Sequence, residues 1–205
     1  MRTSIDVETL ERDSLDEIVT VLTDAFGDYP VMRYVIGPSE SYSEQLPLLV
    51  HLFASGRALR REPMFGVRAS DGSLAAVALA TPPDSIDPPD EFLTLRERAW
   101  SQLGADARRR YETLVDVWSA CAATGRHHHL NMIGVRRAFR GTGLGKLLLE
   151  AVIAMAESDP SSTGVDLTTE LAGNLAFYQR FGFRVIADAH ATPELHTWTL
   201  FRALG

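Results

Sequence analysis

The feature that most constrains this chain is a glycine-rich loop that lies between a strand pattern and a helix pattern. The loop reads RGTGLGK, with glycine at positions 141, 143 and 145. Residues 127–135 before it have a strand pattern, and apolar residues recur at helical spacing from Leu144 to Met155 after it. Glycine at this density directly before a helix predicts that backbone N–H groups closely approach a bound phosphate.

Two common phosphate-binding loops do not fit this stretch. A P-loop requires Gly-x-x-x-x-Gly-Lys followed by Ser or Thr, but Arg140 holds the position of the first glycine and Leu147 follows Lys146. The hydroxyl that would hold magnesium is therefore missing. A dinucleotide-binding loop requires Gly-x-Gly-x-x-Gly, and Lys146 stands where its last glycine would be. The sequence thus argues against a nucleotide triphosphatase and a nicotinamide-dependent enzyme.

Composition excludes several classes of partner. The 205-residue chain has 20 basic and 27 acidic residues, a net charge of −7, which argues against nucleic acid or an anionic membrane as partner. No apolar run approaches the roughly 20 residues that span a bilayer, and residues 1–10 lack the apolar stretch of a signal peptide. With a single cysteine, Cys121, which we interpret as a packing residue, no internal disulfide can form. These features predict a cytoplasmic protein.

Periodicity along the chain predicts one domain, residues 1–205, of mixed α and β structure. Residues 26–38, rich in Gly and Pro, are predicted as a loop, and four prolines in TPPDSIDPPDE open a helical insertion at residues 82–126. Gly182 is predicted as a left-handed helix cap. The other predicted strands are residues 5–10, 64–69, 74–80, 127–135, 165–169, 183–187 and 196–202. The other predicted helices are residues 41–58 and 174–181, and two helices that begin near residues 15 and 144.

Two motifs together resemble the GNAT superfamily of N-acetyltransferases. Val135 and Arg140-x-x-Gly143-x-Gly145, between a strand and a helix, are similar to the acyl-CoA pyrophosphate loop of that family. LTTELAGNLAFYQRFGFRV, from residue 167, is similar to its second signature of a strand, Asn, Tyr four residues later, and Gly-Phe. The resemblance covers residues 130–202, is only topological for residues 5–80, and provides no counterpart for residues 82–126. Arg137 departs from the family pattern, which often has proline there.

The resemblance implies a fold, a cosubstrate and its binding residues. The implied fold is a GNAT-like α/β (α+β) fold, with a mixed, mostly antiparallel central sheet flanked by helices and the helical insertion between the third and fourth strands. The implied cosubstrate is acetyl-CoA, and no metal is implied. Gly134 is predicted to mark a bulge that opens the sheet. The residues implied to bind coenzyme A are the backbone of Ile133, Gly134 and Val135 for the pantetheine arm, Arg140, Gly141, Thr142, Gly143, Leu144, Gly145 and Lys146 for the pyrophosphate, and Asn174.

Acid–base catalysis is assigned to two residues. Tyr178 is the candidate general acid, because a phenol stays protonated at neutral pH, and the family places a tyrosine near the thioester sulfur. His129 is the candidate base, with Glu170, His196 or a water as alternatives. Strand alternation predicts His127, His129 and Asn131 on one face of the strand, with His128, Leu130 and Met132 on the other. Three consecutive histidines therefore do not point at one metal ion.

The function that these features imply is acetyl transfer from acetyl-CoA, directly within a ternary complex, to a primary amine of a small molecule or peptide. The alternatives are a non-catalytic acyl-CoA sensor or interaction module and a nucleotide-dependent enzyme. The sequence does not identify the amine or the oligomeric state, for which a homodimer is one option. The acceptor site is predicted to involve residues 26–34, the helix around His51, and Phe92, Trp100 and Trp118 of the insertion.

Overall fold

A computed structural model describes residues 6–205 as a sheet of seven strands with helices on both faces. Residue 5, at the start of the predicted first strand, lies outside the described residues. The elements, in chain order, are β1 Val7–Thr9, α1 Leu15–Phe26, α2 Pro30–Ile36, α3 Tyr42–Arg60, β2 Met64–Arg68, β3 Leu74–Thr81, α4 Asp90–Leu103, α5 Ala105–Cys121, β4 His128–Val135, α6 Leu144–Glu157, β5 Gly164–Thr169, α7 Ala172–Gln179, β6 Arg184–Thr192 and β7 Leu195–Ala203.

The strand order is β1-β2-β3-β4-β5-β7-β6, and every neighbouring pair is antiparallel except β4 with β5. The predicted mixed, mostly antiparallel sheet is therefore confirmed, with α4 and α5 between the third and fourth strands. Gly182 has φ +85°, as expected for a left-handed position that closes a helix.

The parallel ladder between β4 and β5 is short, and this positions the site. Residues 128–130 pair with residues 165–167, but β4 continues to Val135 and β5 to Thr169 without further partners across the gap. Beyond Leu130 the backbone of β4 is paired through β3 alone. Two strands that stop pairing leave a cleft with polar backbone groups along its edge, and such groups require other hydrogen-bond partners.

Each face of the sheet carries its own apolar core. Helix α6 covers one face, where Leu148, Leu149 and Val152 are fully buried against β4 and β5. Helices α1 to α5 cover the other face, where Ile18, Leu22 and other side chains pack on β3. No helix among residues 6–205 is both long and apolar enough to cross a membrane.

A helix, α2, replaces most of the loop predicted at residues 26–38. Pro30 occupies its first position, where a missing N–H costs nothing and the fixed φ suits a helix. Val31, Met32, Val35 and Ile36 are buried, so packing stabilises this short helix despite the flanking glycines. Arg110 of α5 donates to the carbonyl oxygens of residues 35 and 36 at 3.0 and 2.7 Å. A local sequence pattern does not reveal such contacts between distant segments.

The bulge in β4 is at Asn131 and not at Gly134. Leu79 pairs with Met132 and Ala80 with Leu130, which leaves Asn131 as the extra residue. The predicted alternation is therefore wrong at Met132, which lies in the α1–α5 core, whereas Leu130 lies in the α6 core. Gly134 is required for another reason, because a Cβ there would lie 2.9 Å from Leu22 and Ala25 of α1.

Candidate active site

A cavity of about 510 Å³ lies where β4 and β5 diverge, beneath α2, α3 and α5. Its walls are largely aromatic and apolar, and several titratable groups face into it. Among the sequence-predicted site residues, His129, Ile133, Asn174 and Tyr178 line it, together with the alternative base Glu170. The other lining residues include Phe26, Tyr29, Met32, Phe53, Arg57, Tyr111, Trp118, His127, Asn131 and Asp166.

Tyr178 comes from α7 and is held by aromatic packing. Its ring centroid lies 5.2 Å from that of Phe177 and 5.9 Å from that of Phe183, and the side chain is buried. Burial, and secondarily the negative charge of Glu170, raise the pKa of its phenol far above the usual range. Its hydroxyl has no hydrogen-bond partner within residues 6–205. Tyr178 is therefore a protonated group with a donor to spare at neutral pH.

His129 is oriented by a buried aspartate that sequence reasoning missed. Its Nδ1 donates to Oδ1 of Asp166 at 2.7 Å, and Nε2 of His127 lies 3.4 Å from the other carboxylate oxygen. This arrangement leaves Nε2 of His129, whose side chain is 36% exposed, as a proton acceptor. A signal was present in the sequence, since Asp166 is a lone acidic residue between apolar neighbours in a strand.

His128 points away from this pair, and its Nδ1 lies 3.1 Å from Oγ of Ser162. Burial lowers the pKa of His128. The alternation predicted for the three histidines is thus confirmed. No group of three or more His, Cys, Asp or Glu side chains in the described part of the chain is placed to hold a metal ion.

Glu170, directly after β5, is a second candidate base. One carboxylate oxygen accepts from the Tyr29 hydroxyl at 2.9 Å, and the other accepts from Thr197 at 2.7 Å and from Nε1 of Trp118 at 3.3 Å. Burial raises its pKa, and these three donors partly oppose the shift. A carboxylate with a raised pKa accepts a proton more readily, which suits general-base catalysis.

His196, the third alternative, does not line the cavity. Its ring is stacked on that of His190, with centroids 4.1 Å apart, and lies 3.8 Å from the ring of Trp198. The predicted acceptor residues divide in the same way. Trp118, residues 26, 29, 31 and 32, and the helix around His51, through Phe53 and Arg57, line the cavity, but His51 itself, Phe92 and Trp100 do not. Phe92 and Trp100 are buried in the apolar core instead.

The glycine-rich loop lies at the N-terminus of α6, where β4 leads into the helix. Gly141 and Gly143 have φ +78° and +91°, a conformation that other residues rarely adopt. No side chain of residues 6–205 caps the helix, so N–H groups of its first turn remain available. Arg140 donates to the carbonyl oxygen of Ala25 at 2.9 Å, and Nζ of Lys146 lies 3.7 Å from Glu150. Thr142 donates its hydroxyl to the carbonyl oxygen of Phe139.

No contact within the described residues requires glycine at position 145. Gly145 is helical, and a Cβ would lie no closer than 3.7 Å to its nearest neighbour, Val135. Apart from chain neighbours, no atom of residues 6–205 lies within 4 Å of a Cβ placed on Gly141 or Gly143, so the space beside the loop is open, as a cradle for an anion requires. Across the cleft, Asn174 donates to Oγ1 of Thr169 at 3.0 Å, which fixes its side chain beside the end of β5. The coenzyme A roles of residues 133–135, 140–146 and 174 stay predictions.

Comparison with known proteins gives a family-model match over part of the chain and a similar fold over nearly all of it. Residues 107–185 match the family model described as acetyltransferase (GNAT) domain. The whole fold is similar to a Corynebacterium glutamicum structure described as histone acetyltransferase HPA2 and related acetyltransferase, with TM-score 0.70, 20% identity, and 99% and 98% of the two chains covered.

Two insect structures have the same fold. Arylalkylamine N-acetyltransferase 2 from Aedes aegypti matches with TM-score 0.63 and 17% identity, over 99% of this chain and 100% of that chain. The Drosophila melanogaster polyamine N-acetyltransferase matches with TM-score 0.58 and 20% identity, over 98% of this chain and 100% of that chain.

Proposed function

We propose that this chain, whose residues 107–185 match the GNAT acetyltransferase domain model, transfers an acetyl group from acetyl-CoA to the primary amine of a small molecule. The observation that carries this proposal is the convergence of Tyr178, the His129–Asp166 pair and Glu170 on one cavity, which β4 lines through Ile133 before it leads to an uncapped glycine loop. The aromatic walls favour a small amine over a protein segment. Structures of the same fold include enzymes described as acting on arylalkylamines and polyamines.

The residues present fit coenzyme A. The open first turn of α6, with left-handed Gly141 and Gly143, would bind the pyrophosphate. The unpaired edge of β4 near Ile133 would bind the pantetheine arm, and Asn174 lies opposite. Bound there, acetyl-CoA supplies an activated acyl group as a thioester.

Proton transfers are then divided between a base and an acid that both line the cavity. His129 or Glu170 takes a proton from the ammonium group of the acceptor, directly or through a water, so that the nitrogen can attack. Tyr178 donates its proton to the thiolate that departs as the C–S bond breaks, and the second proton, which the nitrogen loses as the amide forms, restores the phenol. The amine attacks the acetyl carbon directly, so no acetyl-enzyme forms. The aromatic walls hold the acceptor and limit access of water, which protects the thioester against hydrolysis.

The cosubstrate is tested by calorimetry with acetyl-CoA, coenzyme A, ATP and NAD. We expect saturable binding of acetyl-CoA and coenzyme A, and none of ATP or NAD at the same concentration. Saturable binding of ATP or NAD, or the absence of acetyl-CoA binding, would contradict the proposal. Binding of acetyl-CoA without transfer to any amine would support the sensor alternative.

The base is identified from pH–rate profiles of His129→Ala and Glu170→Gln. A base works only when it is deprotonated, so the rate rises with pH through the pKa of that group. The variant that removes the base should lower kcat by about 100-fold and flatten this rise, whereas the other should keep it. For Glu170 the rise lies above the ordinary range of a glutamate, because burial raises its pKa. Two unchanged profiles would leave a water as the base.

A further inference from the structure

A cluster of buried charges at the α3 wall of the cavity has an unbalanced positive charge. Nε of Arg57 lies 2.6 Å from a carboxylate oxygen of Glu62, and Arg60 lies 3.4 Å from the other oxygen. The side chains of Arg57, Arg60 and Glu62 are only 19%, 16% and 2% exposed, respectively. Two guanidinium groups therefore share one carboxylate, and the cluster keeps a net charge of about +1 where water screens it poorly.

The neighbours of Arg57 do not supply the missing negative charge. Arg57 donates to the hydroxyl of Thr81 at 3.1 Å, and that hydroxyl donates in turn to Asn131 at 2.9 Å. Burial is the main cause that lowers the pKa of Arg57, and repulsion from Arg60 adds to it, against the attraction of Glu62. Arg96, the next cation of this region, is paired with Glu97, which also binds Arg108.

Arg57 and Tyr111 both face the cavity. Tyr111 is close enough to Arg57 for that positive charge to lower its phenol pKa, although burial has the larger and opposite effect. The Tyr111 hydroxyl has no hydrogen-bond partner within residues 6–205. A guanidinium and a hydroxyl that face the same cavity can both donate to a carboxylate there.

The negative groups of the cavity lie on its other side. Arg57 contacts β3 through Thr81, whereas Asp166 and Glu170 belong to β5 and its end. Since β3 and β5 are separated by β4, about 10 Å lies between the two positions. Aromatic rings fill the wall between them, with Tyr111 5.3 Å from Phe53 and 6.5 Å from Trp118 between ring centroids.

We propose that Arg57, assisted by Tyr111, binds a carboxylate of the acceptor, so that the substrate is a zwitterion whose amine and carboxylate are separated by an apolar body. This inference rests on the proposed acetyl transfer. The carboxylate balances the excess charge beside Arg57, the apolar body lies against Phe53 and Trp118, and the amine reaches His129 and Glu170. Arg57 thereby selects the substrate without taking part in the chemistry.

The test compares kcat/KM for 2-phenylethylamine with that for 4-(2-aminoethyl)benzoate, whose charged groups are separated by the ring, and for phenylalanine, whose charged groups share one carbon. We expect 4-(2-aminoethyl)benzoate to exceed the simple amine by about tenfold or more, and phenylalanine to show no such gain. Arg57→Met should remove this preference, and Arg57→Lys should keep part of it. Arg60→Met removes the same formal charge from the cluster without facing the cavity, so it should keep more of the preference than Arg57→Met, because Arg57 still donates to the carboxylate. No preference in the parent protein, or one that survives Arg57→Met, would overturn the proposal.

Binding of 3-phenylpropanoate, which has the carboxylate but no amine, gives a second readout that does not depend on turnover. Calorimetry should show binding to the parent protein and to Arg60→Met, with at least a tenfold loss in Arg57→Met. Thermal unfolding of the three proteins checks that each is folded. Equal binding to all three would overturn the carboxylate site while leaving acetyl transfer intact, whereas transfer to no amine at all would instead contradict the proposed function.

Discussion

Gly145→Glu is expected to lower the affinity for acetyl-CoA by about 100-fold or more, because the new carboxylate would stand where the pyrophosphate binds. The substitution should not unfold the protein. Residue 145 is the second residue of α6, and its Cβ has room. An acidic side chain in a first helical turn is favoured by the helix dipole, and glutamate replaces glycine in a helix with a gain of roughly 0.5–1 kcal/mol.

Two further substitutions at the same position separate charge from volume. Gly145→Gln has nearly the size of glutamate without its charge and should weaken binding less, and Gly145→Ala should weaken it least. Calorimetry gives the affinity, and urea unfolding gives the free energy of unfolding. If Gly145→Glu bound acetyl-CoA as tightly as the parent protein, the glycine loop would not be the pyrophosphate site.

Tyr178→Phe is expected to lower kcat by about 100-fold while leaving the Kd for acetyl-CoA nearly unchanged. The substitution removes only a hydroxyl that has no hydrogen-bond partner among the described residues, so the ring packing against Phe177 and Phe183 is kept. Because the pKa of Tyr178 is raised far above neutrality, the phenol is protonated throughout the working range. Tyr178 should therefore act as a general acid, and no change of pH should restore the activity that is lost with its hydroxyl.

Tyr34→Phe serves as the matched control, because Tyr34 also packs against an apolar core but does not line the cavity. It should keep the parent kcat. Steady-state kinetics with acetyl-CoA and an accepted amine compare the three proteins. Unchanged kcat in Tyr178→Phe would remove the phenol from the mechanism, and an equal loss in both variants would indicate a general effect on the fold.

The local parts of this architecture could be predicted from the sequence. The loop at residues 140–146 and helix α6 depend on glycine spacing and on an apolar period, both of which are contained in a few consecutive residues. The same holds for the hairpin of β2 and β3, which the Asp71-Gly72 turn indicates. In each case the signal and the structure occupy the same short segment.

The parts that depend on contacts between distant segments could not be predicted. Asp166 becomes the partner of His129 only because β4 and β5 pair in parallel with residue 129 opposite residue 166. The three donors to Glu170 come from α5, β7 and the turn before α2. The bulge at Asn131 arises from the register with β3 and moves Met132 to the other face. No local pattern contains these registers.

The most direct test of acetyl transfer is mass spectrometry of the acceptor after incubation with acetyl-CoA that carries an isotopic label in its acetyl group. The account predicts that one labelled acetyl group appears on the amine for each coenzyme A thiol released, and that Tyr178→Phe forms this product about 100-fold more slowly. Thiol release that leaves every amine unmodified, or label that is retained on the protein as an acetyl-enzyme, would contradict it.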